Sequence, residues 1–248
     1  MKTVVVSGLL SICSLCFSSE KLELSGVIDK IDRLYRSKTA AMALEMQVNT
    51  PHWKRTMKMQ VWTEGLKKTF ITILSPLKDK GVSTLRNDKE MWNFFPKINK
   101  VMKVPPSMMM GSWMGSDFTN DDLVKESSFR EDYNARRLEN EVDETGYYIE
   151  FTPKKQTVSV WGKVVVEVDT KTVLPKTQKY YDEKGKLIRT LYFKDVRKLG
   201  GRLIPAVMEL IPHNKSGYST RLIHREAEFD AVLDPGIFTL RNLKKVRR

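Results

Sequence analysis

The sequence carries few residues of the types that perform catalysis or bind metals. It has three histidines, His52, His213 and His224, and none stands in the H-x-x-x-H or H-E-x-x-H spacing that places two imidazoles on one helical face. No nucleophile elbow of the form G-x-S-x-G, no P-loop and no G-x-G-x-x-G phosphate loop occurs. The Asp121-Asp122 pair is typical of a helix cap or a solvated loop. We therefore expect no catalytic residue, no metal and no cofactor, so the protein is predicted not to be an enzyme.

Both cysteines, Cys13 and Cys16, lie at the amino terminus. Met1-Lys2 supplies a positive charge, and the apolar run 4–17 is shorter than a membrane-spanning helix requires. This pattern predicts a signal peptide over residues 1–18, cleaved after Ser18. The remaining domain, residues 19–248, then has no thiol for a disulfide, a nucleophile or a metal site.

An uncleaved anchor is disfavoured by the short apolar run. A lipid anchor is disfavoured because Ile12 and Leu15, rather than small residues, precede the two cysteines. The predicted location is therefore the periplasm.

The stretch KVPPSMMMGSWMGSDFTNDDL, residues 103–123, is unusually rich in methionine. Pro105-Pro106 ends the preceding strand, and Gly111 and Gly115 permit tight backbone turns. Methionine is unbranched and adapts to apolar shapes. Thr119-Asn120-Asp121-Asp122 resembles a capping box that opens a short helix. This combination is typical of a flexible apolar lid, and the competing interpretation is a fixed hydrophobic plug.

The elements that must position this segment are mainly strands. Apolar residues from Leu24 to Leu34 recur at three- and four-residue spacing, which predicts one helix over residues 24–35 with Ser25 as its N-cap. From Met42 onward the period becomes two, and about ten strands follow at short intervals. A single antiparallel sheet of that size tends to curl into a partly open barrel, so the fold class is predicted to be mainly β, an incomplete antiparallel barrel with an N-terminal helix and a short helical lid.

Three stretches carry a resemblance to a known family. They are MWNFFPKINKVMKVPPSMMMGSWMGSDFTNDDL, YYDEKGKLIRTLYFKDV and GGRLIPAVMELI. Together they resemble the bacterial outer-membrane lipoprotein-sorting proteins of the LolA/LolB-like superfamily, in a branch whose members are often uncharacterised. The resemblance implies an open barrel with a helical lid over a hydrophobic cavity. It also implies an arginine that latches the lid, to which no residue of this sequence can be assigned by motif.

The function implied is that of a periplasmic carrier of acyl chains, of lipoproteins or other lipids, towards the outer membrane. The predicted cavity and lid residues are Met46, Met59, Trp92, Phe94, Phe95, Met108, Met109, Met110, Trp113, Met114 and Phe118. The cover is expected to contribute little to the stability of the main core.

Two further functions compete with the carrier. The net charge of +13 makes nucleic-acid binding a candidate function, but the basic residues are scattered along the chain. A basic surface on an exported protein is expected to contact anionic lipid or an acidic partner protein, in peripheral contact with a membrane. No nucleic-acid partner is therefore expected. The other alternative is a non-carrying accessory protein of a resistance-nodulation-division type lipid exporter in the inner membrane, and the sequence does not separate it from a carrier.

Overall fold

The computed structural model describes residues 23–124, 129–138, 145–157 and 159–245. The predicted signal peptide therefore lies outside the described residues. The helices are α1 Leu24–Asp32, α2 Asn120–Val124, α3 Phe129–Asp132 and α4 Leu240–Leu243. The strands are β1 Thr39–Asn49, β2 Lys54–Glu64, β3 Lys68–Ser75, β4 Ser83–Asn87, β5 Glu90–Phe95, β6 Lys100–Lys103, β7 Tyr133–Leu138, β8 Gly146–Pro153, β9 Lys163–Asp169, β10 Pro175–Tyr181, β11 Leu187–Leu199, β12 Arg202–Pro212 and β13 Ser219–Phe229.

All strands within the described residues belong to one antiparallel sheet of 13 strands in the order β6-β5-β4-β3-β2-β1-β13-β12-β11-β10-β9-β8-β7. The strands β6 and β7 stand at the two ends, so the sheet is open, as the sequence predicts. Its strand number exceeds the predicted ten because β6 and β7 show no clear alternation. Short, charged edge strands of this kind resist pairing with other chains.

The order of the strands in the sheet determines where the predicted lid lies. The first half of the chain runs outward from β1 to the edge strand β6, and the second half returns inward from the opposite edge strand β7 to β13, which pairs with β1. The described parts of the connection between the two edges, residues 104–124 and 129–132, therefore lie across the open side of the sheet. This connection contains the methionine-rich stretch, α2 and α3.

Helix α1 covers one half of the inner face, which we define as the sheet face that carries α1 and residues 104–124 and 129–132. Its buried residues Val27, Ile28 and Ile31 pack on Ile149 and Phe151 of β8 and on β9 valines. The helix ends at Asp32, three residues before the predicted Tyr35, because Leu34 N–H bonds Ile31 O in a tighter turn. The predicted N-cap Ser25 is also wrong. Hydrogen bonds from the amides of Gly26 and Val27 begin the helix at Glu23.

The outer face is covered at β3–β5 by the carboxyl-terminal segment. Phe238 and Leu243 pack on Phe70, Leu85 and Phe94. We call these five residues the outer cluster. Asp234 and Thr239 cap the turn Pro235–Phe238 and helix α4 through side-chain hydrogen bonds, which fixes the segment in place.

Candidate functional site: a lidded apolar cavity

The inner face holds a cavity of about 210 Å³ between α1, residues 104–124 and 129–132, and the sheet. Strands as far apart as β1 and β9 contribute to it through Met46 and Val164, so the sheet curves around it. Most of its wall is apolar, and the polar groups are confined to a few side chains such as Gln178 and Arg189. A predominantly apolar wall with few polar groups is typical of a ligand site.

A smaller cavity of about 80 Å³ lies beside the first. Its apolar lining comes from β1, β2 and β3, and Trp113 forms part of its wall. The two cavities share the lining residues Tyr35, Arg36, Met46, Leu123, Met208 and Leu222. Leu123, from α2, is the one shared residue that belongs to the predicted lid, so a movement of α2 affects both spaces.

The capping box predicted for α2 is present. Thr119 N–H donates to Asp122 Oδ2 at 2.8 Å, and Asp122 N–H donates to Thr119 Oγ1 at 3.1 Å. Asn120 Nδ2 also donates to the carbonyl of Met108 at 3.1 Å, which ties the helix to the methionine-rich stretch. The reciprocal bonds satisfy amides that a helix amino terminus leaves unpaired.

One buried ion pair holds α2 to the sheet. Arg189 of β11 donates to both carboxylate oxygens of Asp122, at 2.8 and 2.5 Å. The guanidinium lies against the rings of Tyr180 and Trp161, with its central carbon 4.2 and 4.5 Å from their centroids. This bidentate, stacked geometry is the arrangement for which arginine is suited.

The charges of this pair reinforce each other. Burial raises the pKa of Asp122, but the Arg189 charge and the hydrogen bonds from Arg189 and Thr119 outweigh burial, so the net pKa lies below its ordinary value. Burial likewise lowers the pKa of Arg189, and the Asp122 charge reverses this, so its net pKa is raised. Both groups are therefore ionised at neutral pH.

Sequence reasoning did not assign Arg189 to the site. A signal was present in the strand itself, because Arg189, Leu191 and Phe193 alternate on one face and the last two are apolar. An arginine at an inward-facing position of such a strand requires a buried partner.

The predicted site residues separate into three groups. Met46, Met59, Trp113 and Phe118 line one or both cavities. Met109 and Met114 pack against the core cluster of β1–β3, while Met108 and Met110 are exposed, at 58% and 42%. Gly115 has a positive φ of 74°, which supports a tight turn here.

The third group lies away from the cavities. Phe94 belongs to the outer cluster and Trp92 packs against it, because alternation along β5 turns Met91 inward and these two side chains outward. Phe95 is half-buried and is not among the residues that line either cavity.

Trp113 is more firmly placed than a loose cover requires. It is 2% exposed, packs in the same cluster as Met57 and Ile73, and donates its indole N–H to Thr84 Oγ1 at 3.2 Å. The expectation that the cover contributes little to the stability of the main core does not agree with the burial of Trp113. The chain segment therefore combines a fixed anchor at Trp113 with a latched helix at α2.

A second anchor ties the segment to β13. The Asp117 amide donates to Thr220 Oγ1 at 3.0 Å, and the Thr220 hydroxyl donates to the Asp117 carboxylate at 2.7 Å. We define the lid as residues 104–124. Trp113 and Asp117 anchor it to the sheet, and the Arg189–Asp122 ion pair latches its helix α2.

An open antiparallel sheet that curves around an apolar cavity, with a helix inside and a latched lid, defines a LolA-like fold. A LolA superfamily protein from Nitrosomonas europaea shares it with a TM-score of 0.73 and 20% identity, over 88% of this chain and 98% of that one. A DUF1329 family protein from Desulfovibrio piger gives a TM-score of 0.77 and 21% identity over 88% and 96% of the two chains. A domain from Vibrio parahaemolyticus named for outer membrane lipoprotein sorting gives 0.72 and 22%, over 84% and 92%.

The family assignment comes from sequence. A family model described as "Uncharacterized protein" matches residues 65–245, and the chain belongs to this family. The predicted resemblance to the lipoprotein-sorting proteins is thereby confirmed at the level of the fold and of an uncharacterised branch. No curated protein matches the chain significantly.

Across residues 23–124, 129–138, 145–157 and 159–245, no helix combines the length and apolar character needed to cross a membrane. Over the same ranges, no three His, Cys, Asp or Glu side chains are grouped so that they could hold a metal ion.

Proposed function

We propose that this protein is a non-catalytic periplasmic carrier that binds acyl chains, of lipoproteins or other lipids, in the inner cavity and delivers them towards the outer membrane. The observation that carries the proposal is an apolar cavity closed by a helix that one buried ion pair, Arg189–Asp122, holds shut. The similarity to folds named for lipoprotein sorting supports the same function.

The energetics favour a long apolar ligand. Each methylene group removed from water contributes about 0.8 kcal/mol, and a long chain therefore offsets the several kcal/mol that association costs. Each cavity is smaller than the roughly 300 Å³ at which ligand pockets usually begin. A full acyl chain is accordingly expected to enter only when α2 moves and the two spaces join.

The latch explains how such a carrier could release its cargo. Arg189 holds α2 against the sheet, so the loss of this contact would allow Leu123 to leave both cavities. Trp113 and Thr220 keep the rest of the lid attached while α2 swings. The resemblance to the lipoprotein-sorting family implies an arginine that latches the lid, and Arg189 would take this role here.

The test is native mass spectrometry of the protein purified from the envelope of its host. We expect a co-purifying lipid on the parent protein and none on Leu123→Asp, which places a carboxylate at both cavities. Leu77→Asp is the matched control, because Leu77 is 85% exposed and lines neither cavity. An empty parent protein that also fails to bind a hexadecyl probe in solution would contradict the carrier function and favour the accessory protein of a lipid exporter.

A further inference from the structure

A row that is polar at three of its four positions crosses the inner face beside the apolar cavities. Ala40, Thr63, Thr69 and Arg86 stand directly opposite one another on β1, β2, β3 and β4. Residues opposite each other in an antiparallel pair share a face, so all four point inward. The next row is apolar on β1 to β3, at Met42, Val61 and Ile71, and carries Thr84 on β4. On β2 and β3 the inner face therefore changes from apolar to polar within one row.

Two buried guanidinium groups meet at this row. Arg36 lines both cavities and donates from Nη1 to Thr69 Oγ1 at 3.0 Å. Arg86, directly across the ladder from Thr69, is 5% exposed and donates from Nε to the carbonyl of Asp88 at 3.0 Å. The two positive charges are close enough to act on each other, and the Asp88 carboxylate that favours the charge of Arg86 is exposed.

Both arginines remain cationic at neutral pH. Burial lowers the pKa of Arg36 to about 9, with a further contribution from the charge of Arg86. Burial lowers the pKa of Arg86 to about 10, against the opposing effect of Asp88. A buried positive charge is costly to maintain unless an anion or several hydrogen bonds compensate it.

Two buried polar atoms of this row have no hydrogen-bond partner among the residues that the structure describes. They are Arg86 Nη1 and Thr63 Oγ1. Thr63 and Thr69 line the smaller cavity, and a third atom without a described partner, His224 Nδ1, lies on the wall of the same cavity away from the row. Each buried polar atom without a partner costs about 1–3 kcal/mol, so two of them in one row indicate a ligand that supplies the missing bonds.

We propose that this polar row, with Arg36, Thr63 and Thr69 on the cavity walls and Arg86 next to Thr69, is the binding site for the oxyanionic headgroup of an amphiphile whose apolar chain occupies the two cavities. The inference rests on the proposed carrier function and adds its ligand class: a chain that ends in a carboxylate or a phosphate. Carboxylate and phosphate oxygens accept hydrogen bonds from guanidinium and hydroxyl donors, which are the groups present. The arginine pair then sets the direction in which the amphiphile enters, headgroup toward β4 and tail toward β11.

The test compares two ligands of one length, hexadecanoate and hexadecanol, as competitors of a neutral fluorescent probe at low salt and pH 8. We expect the parent protein to bind hexadecanoate at least tenfold more tightly than hexadecanol. Arg86→Gln should abolish this preference while its affinity for hexadecanol stays within twofold of the parent value, and Arg86→Lys should keep part of the preference. Arg225→Gln is the matched control, because Arg225 is exposed and pairs with Glu45 at 3.0 Å on the outer surface.

The remaining outcomes are decisive without any variant. Equal affinity of the parent protein for hexadecanoate and hexadecanol would overturn the headgroup site and leave the carrier function standing. Binding of neither ligand would overturn the carrier function and the headgroup site with it. A third arm uses inorganic phosphate alone: binding of phosphate as tightly as hexadecanoate would show a free-anion site and overturn the assignment to an amphiphile.

Discussion

Adjacent residues of one strand lead into two different kinds of apolar environment. On β3, Phe70 points into the outer cluster, while Ile71 lines the smaller cavity. The outer cluster is built from aromatic and leucine side chains that are almost fully buried, and it borders neither cavity. The inner face is built largely from methionines and valines, and it retains empty space and polar atoms without described partners.

The difference shows how this fold separates stability from binding. Close-packed aromatic side chains lose many contacts if anything moves, so the outer cluster favours one fixed arrangement. Methionine changes shape at low cost, so the inner face tolerates being filled and emptied. The chain uses its carboxyl-terminal segment to close the first face and a latched helix to close the second.

The largest effect on stability is expected in the outer cluster. Phe94 has no exposed surface, so Phe94→Ala should lower the free energy of unfolding by about 3–5 kcal/mol. Chemical denaturation measures this. The folded fraction should bind a hexadecyl probe with unchanged affinity, because Phe94 lies on the face opposite the cavities.

Met59→Ala is the matched change on the inner face. Met59 already borders empty space, so its truncation loses fewer contacts and should cost about 2 kcal/mol. Unlike Phe94→Ala, it should weaken probe binding. An equal loss of stability in both variants, with no change in binding for Met59→Ala, would remove the distinction between the two faces.

The next prediction concerns the latch, which is the Arg189–Asp122 ion pair, and its effect on the rate of ligand release. Asp122→Asn leaves the buried Arg189 without its counter-charge, and breaking such a pair costs about 3 kcal/mol or more. We expect α2 to detach from the sheet in this variant, which exposes Arg189 to water, while the sheet itself stays folded. We expect stopped-flow release of a neutral probe to accelerate about a hundredfold, with a change of no more than about 1 kcal/mol in global stability.

The same pair predicts a response to acid. Because the pKa of Asp122 is lowered in the folded protein, its contribution is complete above the ordinary value of 3.8 and is lost as pH falls through the lower folded value. Probe release from the parent protein should therefore accelerate below about pH 4, before the sheet unfolds. Release from Asp122→Asn should already be fast at pH 7. Asp230→Asn, at an exposed carboxylate whose pKa is also lowered by the Ser37 hydrogen bond, is the control that should retain the parent profile.

These outcomes also mark what the sequence could predict. The period-two pattern of β1 and the capping box at Thr119 are local signals, and both are present in the structure. The edge strands β6 and β7 were not predicted, because the side chains of edge strands serve to prevent pairing with other chains rather than to fill a core. The Arg189–Asp122 pair joins residues 67 positions apart, and no local pattern encodes such a contact.

The placement of individual aromatic residues failed for a related reason. Trp92 and Phe94 are as apolar as Met91, and only the direction of alternation decides which face each one reaches. That direction is set by the ladder between β4 and β5, which the sequence alone does not fix. The burial of Arg86 was also not predicted, because an arginine within a strand is usually interpreted as a surface charge.

A moderate effect is expected from Phe118, the aromatic lid residue that lines the larger cavity. Phe118→Ala should weaken binding of a hexadecyl probe about tenfold, since an aromatic contact with the chain is lost. Its side chain is only half-buried, so the free energy of unfolding should fall by about 1 kcal/mol. Isothermal titration and thermal denaturation measure the two quantities. A loss of several kcal/mol in stability would show that the lid is a structural plug.

The smallest effect is expected at the exposed methionines. Met108 and Met110 project from the lid at 58% and 42% exposure. If composition alone made this stretch a cavity cover, the double variant Met108→Ser, Met110→Ser would bind a hexadecyl probe as poorly as Phe118→Ala. The structure predicts instead a change of less than twofold in affinity and about 0.5 kcal/mol or less in stability, because exposed side chains contribute little to either. Titration of the two variants side by side separates these cases. A loss of fivefold or more in the methionine variant would mean that these side chains enter the cavity when the ligand binds. The division of the lid into an inward, cargo-contacting part and an outward part would then have to be abandoned.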